Sequence, residues 1–595
     1  MTRSKLASQF RWKIKPETPA LRDRLASELR LQPITSQLLI NRGMDRPADG
    51  EQVLKPSLQT LPDPTRLPDF EAAIVALEQH LKEPGRGPVL IHGDYDVDGI
   101  CGATLLYHLL HMLGAEVQVF LPDRVRDGYS FGQNSLDHIE RIGAKLVIAV
   151  DNGTTALEPL RELERRGVQV IVVDHHLAGA ELPPCTALVN PWVAPKEEEL
   201  FPYFCGAGVA YLLAWGLLRH LHGDGTLPEH HRRFLFEALG FAAIATIADS
   251  MPLKGPNRAL VRRGLETLPT SSFAGLSALC KQLKLSQPSA TDVAFRIAPH
   301  LNAAGRMGKT ELAFELLSSR DPQRAAQLAE QLQGLNKERQ LLQHNQQLAL
   351  APQVEAQRER GDQVLFAGET DAAFGVLGIV AARFHEDSGL PTLLWGECEP
   401  GVARGSARGP DGINLVELMD QVQPLLSGYG GHAQAAGFHF DPAHADELGA
   451  ALTEAAAKLE PPSKPSMDID VEVQPHELNL TVVDELNLLE PFGSGFPTPL
   501  FLCSGATLCA APDPLGADGR HVALRLEKSG IVVRTLGWSM ADRLAALEAG
   551  SQVDVVFEPS INQFRGPRRV EWVLRDLRST VPSQNEASHL EQPLP

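Results

Sequence analysis

At 595 residues the chain exceeds what one hydrophobic core can fill, and at about 100 to 200 residues per domain it calls for three or four domains. A hydrophobic content of 43% with 6% aromatics excludes global disorder, and seven scattered cysteines without a Cys-x-x-Cys pair favour neither a disulfide framework nor a structural zinc. The formal net charge of −19 argues against broad adhesion to nucleic acid and confines any polyanion binding to a local, salt-sensitive basic channel.

Buried thiols in a reducing cytoplasm fit the cysteine usage. Met1 to Lys15 has basic residues with no apolar stretch after them, and the weakly polar run Leu239 to Ala248 is too short to span a bilayer. A cytoplasmic chain with no membrane contact is therefore expected. Residues 1 to about 80 are rich in Pro, Leu and Arg, with helix-like pieces near Ala20 to Arg30 and Phe70 to His80, and carry no chemistry of their own. The first dozen residues suit a mobile extension.

The chemistry begins where the apolar run Val89 to Gly93 breaks into Asp94, Asp96 and Asp98, three carboxylates spaced two apart. In extended backbone such residues face the same way. Three crowded anions repel unless a divalent cation compensates them; a polar turn with solvated acids is the alternative. Ile100 to Leu113 is apolar on a helical period, and Gly114 is placed to end it. A strand follows at Val117 to Leu121, then a loop, Pro122 to Gly132. There Arg124 and Arg126 can meet backbone phosphates while Tyr129 and Phe131 can stack on bases, with an ordinary surface loop as the alternative. Leu146 to Val150 ends in Asp151-Asn152-Gly153, and Val170 to Val173 ends in Asp174-His175-His176. Short β-branched runs separated by helix-like segments read as a parallel α/β sheet that collects ligands beyond the carboxyl ends of its strands.

The ordered set Asp-Tyr-Asp-Val-Asp-Gly, Asp-Asn-Gly and Asp-His-His resembles the DHH phosphoesterase superfamily and, within it, the RecJ family of bacterial single-strand-specific exonucleases. The similarity runs from about residue 85 to beyond residue 480. It implies an α/β fold in which a DHH parallel-sheet lobe and a DHHA1 lobe are joined by a long helix, followed by a C-terminal OB-like β-barrel. On this sequence the implied parts are an N-terminal cover packed on the first catalytic domain (1–80), the DHH catalytic domain (81–309), the connecting helix (310–360), the DHHA1 substrate-binding domain (361–460), the OB-like nucleic-acid-binding domain (465–580) and a disordered tail (581–595).

Further along, Gly206 and Gly208 let a helix approach the sheet closely. Phe234 to Ala248 is an apolar helix that delivers Asp249 near its carboxyl end, where an acid needs a partner; the resemblance gives Asp249 the last metal-ligand role. Ala298 to Gly308 resembles the family signature Pro-Arg-Leu-Asn-Ala-Ala-Gly-Arg, with His300 in place of the usual arginine. Asn302 and Arg306 remain to meet a phosphate. From Glu311 to about Glu359 the composition suits a long helix or helix pair, with few breakers before Pro352 and apolar spacing too irregular for a coiled coil. In the second lobe, adjacent glycines in Gly428 to Gly437 let N–H groups close on an anion, while Ser406, Arg408 and His432 add donors. That glycine group is similar to the Gly-Gly-His signature of DHHA1, which places Gly431 and His432 at the substrate. Glu460 to Lys464 reads as a linker. Asp468 to Val473, Val522 to Leu526, Ile531 to Leu536 and Val553 to Phe557 read as short strands, the last three in a small barrel. Leu489 to Pro497 resembles its entry, with Phe496 where the family has Asn, and Arg565 to Arg569 forms a basic edge suited to single strands.

By resemblance, Asp94, Asp96, Asp98, Asp151, His175 and Asp249 hold two ions, Mn²⁺ or Mg²⁺, with Asp151 bridging; carboxylates mixed with imidazole suit these ions better than zinc. Two such ions about 4 Å apart lower the pKa of a shared water and neutralise charge on the scissile phosphate. His176 completes the catalytic group with Asp151 and His175, by contacting the phosphate or assisting the leaving group. His92 is either a further ligand, as its spacing from Asp96 in related pyrophosphatases suggests, or an orienting hydrogen-bond partner. The implied activity is 5′-to-3′ degradation of single-stranded DNA to nucleoside 5′-monophosphates in repair and recombination, with Arg306, Ser406, Arg408, Gly431 and His432 gripping the terminal phosphate. The family also implies a monomer, with a single-strand-binding protein and a RecQ-type helicase as partners. Hydrolysis of short RNAs or cyclic dinucleotides is the rival enzyme, and a non-catalytic replication scaffold the rival class. The OB-like tail favours a long polymer, and the intact set of acids and histidines disfavours the scaffold.

Overall fold

In the computed structural model, residues 7–83, 85, 87–123, 130–193, 203–223, 225–459, 464–516, 519–563 and 566–580 are described. They fall into two units, one formed by Met1–Ser57 with Ser463–Pro595 and the other by Leu58–Pro462.

The larger unit is organised on a five-stranded sheet. Strands β1 (Val89–Gly93), β2 (Val117–Phe120), β3 (Leu146–Val150), β4 (Gln169–Val173) and β5 (Ala187–Val189) lie in the order β2-β1-β3-β4-β5. Every neighbour runs parallel. Sheets of this kind are covered on both faces, which is why β1 and β3 are unbroken apolar runs rather than alternating ones. Leu136, Ile139, Leu160 and Leu163 pack on the face shown by Val147 and Ala149. The opposite face meets α1 (Val97–Met112) and α2 (Gly206–His222), where a Cβ at Gly102 would stand 2.6 Å from Val150 Cγ1. The chain leaves β1 for β2 on one side and comes back to β3 on the other, so the loops after β1 and β3 diverge and leave a crevice at the switch point. Asp94 follows β1 and Asp151 follows β3. The topology thus delivers both acids to one place. Helix α3 (Glu229–Ala248), buried along most of its length, ends at Asp249.

The expected connector is a helix pair. Thr310–Ser318 stops at residues 319–321, and α5 (Pro322–Arg360) then runs for 39 residues, about 58 Å. Asp321 caps its first turn, and Gly361 at φ 78° closes its last. Pro352, a breaker by sequence, sits inside α5; its neighbours Leu350 and Val354 are anchored against Leu365, Leu377 and Val380, so tertiary packing holds the helix across the missing N–H. Before α5 lies α4 (Ala298–Arg306), entered through a π-helical stretch at Val293–Ile297. The second lobe contains α6 (Phe374–Ser388) and a sheet of β6 (Leu365–Glu369), β7 (Thr392–Glu399), β8 (Val402–Arg408), β9 (Gly428–Gly431) and β10 (Ala435–Phe440) in the order β9-β10-β8-β7-β6. Only β6 and β7 pair in parallel.

In the smaller unit, β11 (Phe501–Leu508), β12 (His521–Lys528), β13 (Ile531–Gly537), β14 (Gln552–Asn562) and β15 (Arg569–Ser579) form a ring β11-β14-β15-β13-β12, closed by pairing of β11 with β12 at Thr507 and Leu508. Closure removes the exposed edges of the ring, and stacked Phe557 and Trp572, 3.9 Å between centroids, fill its interior. The expected strand over Asp468 to Val473 is two pieces, because Asp470 interrupts it to take an ion pair. Ser466–Ile469 pairs in parallel with Arg11–Ile14, and Val471–Glu472 pairs with β11. Arg42 forks onto Asp470 at 3.1 and 3.2 Å, and Lys15 reaches it at 3.2 Å.

The N-terminal segment, read as one cover on the catalytic domain, is therefore divided. Residues through Ser57 fold with the barrel, whereas Phe70–Lys82 packs beside β5 and α2. Phe496 is fully buried, stacks on Phe492 at 6.0 Å and lies 5.2 Å from the Arg42 guanidinium, so the departure from the family pattern fills core. The proposed tail over 581–595 and Arg565 of the basic edge lie outside the described residues; Arg568 pairs with Asp484.

Candidate metal and phosphate site

Each acid of the first motif has its own local reason for its position. Asp96 caps α1, its Oδ1 accepting the N–H groups of Asp98 at 2.9 Å and Gly99 at 3.1 Å. A Cβ at Gly99 would overlap the backbone nitrogen of Asp94, so this turn closes only on glycine. Asp98 accepts the N–H groups of Gly206 and Ala207 at 2.7 Å each, in the first turn of α2, where the helix dipole favours an anion. A Cβ at Gly206 would stand 2.7 Å from Asp151 Cβ. The glycine read as a packing residue does pack closely, and its amide also grips a carboxylate. Asp151 itself sits at φ 61°, a left-handed conformation few side chains adopt, with its N–H donating to Val173 O at 2.9 Å. The Asn152 amide donates to His92 O at 3.2 Å and Val150 O at 2.9 Å, tying the ends of β1 and β3 together.

His175, beyond β4, closes the cluster. Its Nε2 lies 3.1 Å from Asp151 Oδ1, 3.6 Å from Asp98 Oδ2 and 3.6 Å from Asp249 Oδ2. Three sets of possible ligands result: Asp94 with Asp96 and Asp151, Asp98 with His175 and Asp249, and Asp151 with His175 and His176, the ligand atoms of each set lying within 4.8 Å of one another. All six acids and histidines expected as ligands meet here, and Asp151 and His175 each belong to two sets.

The electrostatics match the crowding. Burial, then Asp98, Asp96 and Asp94, push the Asp151 carboxyl well above the usual range. Burial with Asp98 and Asp96 lifts Asp249 to about 8, and burial with Asp98 raises Asp96. Anions held this close are relieved by protons or by cations. Carboxylate oxygens with an imidazole are the donor set of hard divalent ions, so these residues fit Mn²⁺ or Mg²⁺.

Asp174, to which the sequence reading gave no role, organises the histidine pair. Fully buried, it accepts the N–H groups of His175 at 2.7 Å, His176 at 3.3 Å and Thr154 at 3.1 Å, and His176 Nδ1 at 2.7 Å. Burial opposes its charge, but the hydrogen bond and charge of His176 outweigh it and hold the carboxyl well below the usual range. In return, Asp174 overcomes the burial of His176 and lifts that imidazole to about 9. The signal was present, since Asp174 opens the Asp-His-His triplet; attention to ligands hid its orienting role.

One expectation narrows and another is corrected. His92, held open as a ligand or an orienting partner, binds Ser135 Oγ through Nε2 at 2.9 Å and is stacked on Phe131 at 3.9 Å and Phe120 at 5.4 Å. Its ring packs in the aromatic core and joins none of the ligand sets found among the described residues, and its carbonyl accepts from Asn152. Phe131, read as a base-stacking ring, is buried in that same stack. Arg124 and Arg126, with Tyr129, lie outside the described residues.

On the phosphate side, Asn302 and Arg306 of α4 line a common cavity with Ser250, the residue after Asp249. His300 is buried and hydrogen-bonded through Nδ1 to Arg296 O. Ser406 and Arg408 share a face of β8, with Arg408 Nη1 donating to Ser406 Oγ at 3.0 Å. The first turn of α6 joins the two groups. A Cβ at Gly375 would overlap the carbonyl oxygen of Arg306, and one at Gly378 would stand 3.0 Å from Ser406 Oγ and 3.1 Å from Arg408 Nη2. Gly431 and His432 stand at the exposed end of the β9–β10 hairpin. There Gly431 adopts φ 144°, and the His432 N–H donates to Ala435 O at 2.8 Å. Gly428–Gly431 form a paired strand rather than an open anion loop.

The chain is similar to known proteins over nearly its whole length. The DHH family N-terminal domain matches residues 88–245, the DHHA1 domain 361–458 and the RecJ OB domain 469–576. The single-stranded-DNA-specific exonuclease RecJ of Thermus thermophilus is 35% identical over 592 residues, 99% of this chain and 82% of that protein. RecJ of Bacillus subtilis strain 168 is 30% identical over 577 residues, 96% of this chain and 71% of that protein. The crystal structure of Thermus thermophilus RecJ in complex with Mn²⁺ superposes with a TM-score of 0.81 at 35% identity, over 96% of this chain and 79% of that one. On these matches, the chain belongs to the RecJ family of the DHH phosphoesterases.

Proposed function

We propose that this chain hydrolyses single-stranded DNA from its 5′ end, releasing nucleoside 5′-monophosphates in DNA repair and recombination, with two Mn²⁺ or Mg²⁺ ions. The observation that carries the reading is the overlap of three ligand sets through Asp151 and His175 at the switch point of the sheet. Asp94, Asp96 and Asp151 would hold one ion and Asp98, His175 and Asp249 the other, and the Asp151 carboxylate, 3.1 Å from His175 Nε2, would contribute to both. Bound there, such ions lower the pKa of a water and neutralise charge on the phosphate under attack. The chain's own residues do the rest. Asp174 fixes His176 by its Nδ1, so Nε2 is the atom that would meet the phosphate or the leaving oxygen. Arg306, Ser406 and Arg408 would grip the terminal phosphate with Asn302, Gly431 and His432, and so set polarity; the packing of α6 against the Arg306 carbonyl and against Ser406 and Arg408 supports this. Arg124 and Arg126 join this set on sequence alone.

The closed barrel suits single strands. None of the seven cysteines is paired, and among the described residues no helix is long and apolar enough to cross a membrane; a cytoplasmic setting is part of this reading on family membership. A monomer working with a single-strand-binding protein and a RecQ-type helicase completes the reading, on family membership. The test is degradation of 5′-labelled and 3′-labelled single-stranded DNA with Mn²⁺. Mononucleotides from the 5′ end, abolished in Asp151→Ala, are expected; hydrolysis of cyclic dinucleotides or short oligonucleotides alone would move the substrate to those ligands.

A further inference from the structure

We propose that Arg339, on the long helix α5, binds a backbone phosphate of the single strand in a cavity beside the carboxylate cluster. The proposal rests on the single-strand reading above and adds a residue outside the family signatures and the ligand sets.

The residue is 8% exposed. Its guanidinium is held by amides of its own helix, Nη1 donating to Gln343 Oε1 and Nη2 to Asn336 Oδ1, both at 2.7 Å. Among the described residues no carboxylate pairs with it, and burial alone pulls it below its usual value. A buried charge without a counter-charge is costly, and a fold that only needed to staple α5 would gain more from a carboxylate at 336 or 343. Neutral acceptors do something different. They aim the guanidinium fork and leave its charge to attract an anion.

The surroundings say which anion. Arg339 lines a cavity of about 340 Å³ with Asn302, Arg306, Ser250 and Ile379, so two arginines border one cavity whose wall includes the residue after Asp249. Beside them, the His300 ring is committed to the Arg296 carbonyl, and burial and the nearby Arg339 disfavour its protonation. Positive charge in this cavity therefore comes from Arg306 and Arg339. A phosphodiester lying across the cavity would receive Arg339 from α5 while the neighbouring linkage reaches the acids.

The experiment is steady-state degradation of single-stranded DNA with Mn²⁺ across a salt series, comparing the unaltered chain with Arg339→Gln, Arg339→Lys and Gln343→Glu. Arg339→Gln is expected to raise KM about tenfold, to change kcat less, and to flatten the dependence of log KM on log salt by about one contact. Arg339→Lys should recover part of the loss. Gln343→Glu supplies a carboxylate within the helix, so it should raise KM while the melting temperature holds or rises. A purely structural Arg339 gives the opposite pattern, a lower melting temperature for Arg339→Gln with KM and salt slope unchanged in both variants, and that result overturns the proposal. If the unaltered chain fails to degrade single-stranded DNA, the functional reading falls and this one with it; activity with indifferent variants removes this one alone.

Discussion

Asp174 belongs to none of the ligand sets and yet orients the histidines beside them. It commits His176 Nδ1 and supports the backbone of both histidines, so Asp174→Asn keeps the shape but weakens the orientation of the imidazole. We expect kcat to fall about 10- to 100-fold, as for other partners that orient functional histidines, with little change in KM; steady-state kinetics beside a melting curve separates this from misfolding. His108 is the structural counterpart. It is buried against Phe241 and Phe273, with Nε2 donating to Leu317 O at 3.2 Å, and burial lowers its pKa to about 4. The folded state thus favours neutral imidazole and the unfolded state takes up the proton first. Stability is full above the ordinary value near 6.5 and is lost as pH falls from there towards 4, by up to about 3 kcal/mol. Denaturant titrations from pH 7 to pH 4 should show that loss in the unaltered chain and a flatter profile in His108→Gln. The residue scale was the most legible in sequence, because carboxylates at two-residue spacing and a histidine pair have few other uses. Phe131 escaped because a ring that reads as functional by position is equally at home in a core, and only packing decides.

Helix ends and glycine contacts carry the next level. The sequence pattern marked α2 as a helix close to the sheet, but which amides of its first turn would face Asp98 depends on how the helix docks. Gly206 fixes that docking, since a Cβ there would crowd Asp151 Cβ at 2.7 Å and its Oδ1 at 2.9 Å. Gly206→Ala should therefore push α2 from the switch point and displace Asp98 and Asp151 together. The expected result is Mn²⁺ binding weakened about tenfold or more by calorimetric titration, because misplaced ligands lose the geometry the ion needs. Unchanged affinity would show that the turn relaxes around the added methyl. Pro352 teaches the same lesson from the other side. Local propensity argued for a break, and burial of Leu350 and Val354 in the second lobe's core overrode it.

The whole molecule was legible in its local parts and opaque in its longest-range ones. Strand runs, the apolar helices and the barrel's alternation are local patterns, and they gave the lobes and their order. Parallel pairing of Arg11–Ile14 with Ser466–Ile469 leaves no local trace, since the two strands are four residues each and most of the chain lies between them. What secures this unit is an ion pair hidden from solvent. Asp470 is 3% exposed and is gripped by both arms of Arg42, with Lys15 as a second cation. Arg42 also lies over the buried Phe496 ring and donates to Pro497 O at 2.8 Å, so one side chain ties the N-terminal segment to the entry of the barrel. Arg42→Ala leaves a buried carboxylate with Lys15 as its remaining cation beside the Leu500 N–H, a change of the kind that costs about 3 to 5 kcal/mol when one partner of a buried pair is removed. Hydrogen exchange should then show faster exchange in Arg11–Ile14 and Ser466–Ile469 while β1 and β3 keep their protection, because cooperative units open separately. Equal loss of protection in β1 and β3 would mean that the two units unfold as one, and the Arg42–Asp470 pair would then hold the catalytic sheet as well as the barrel.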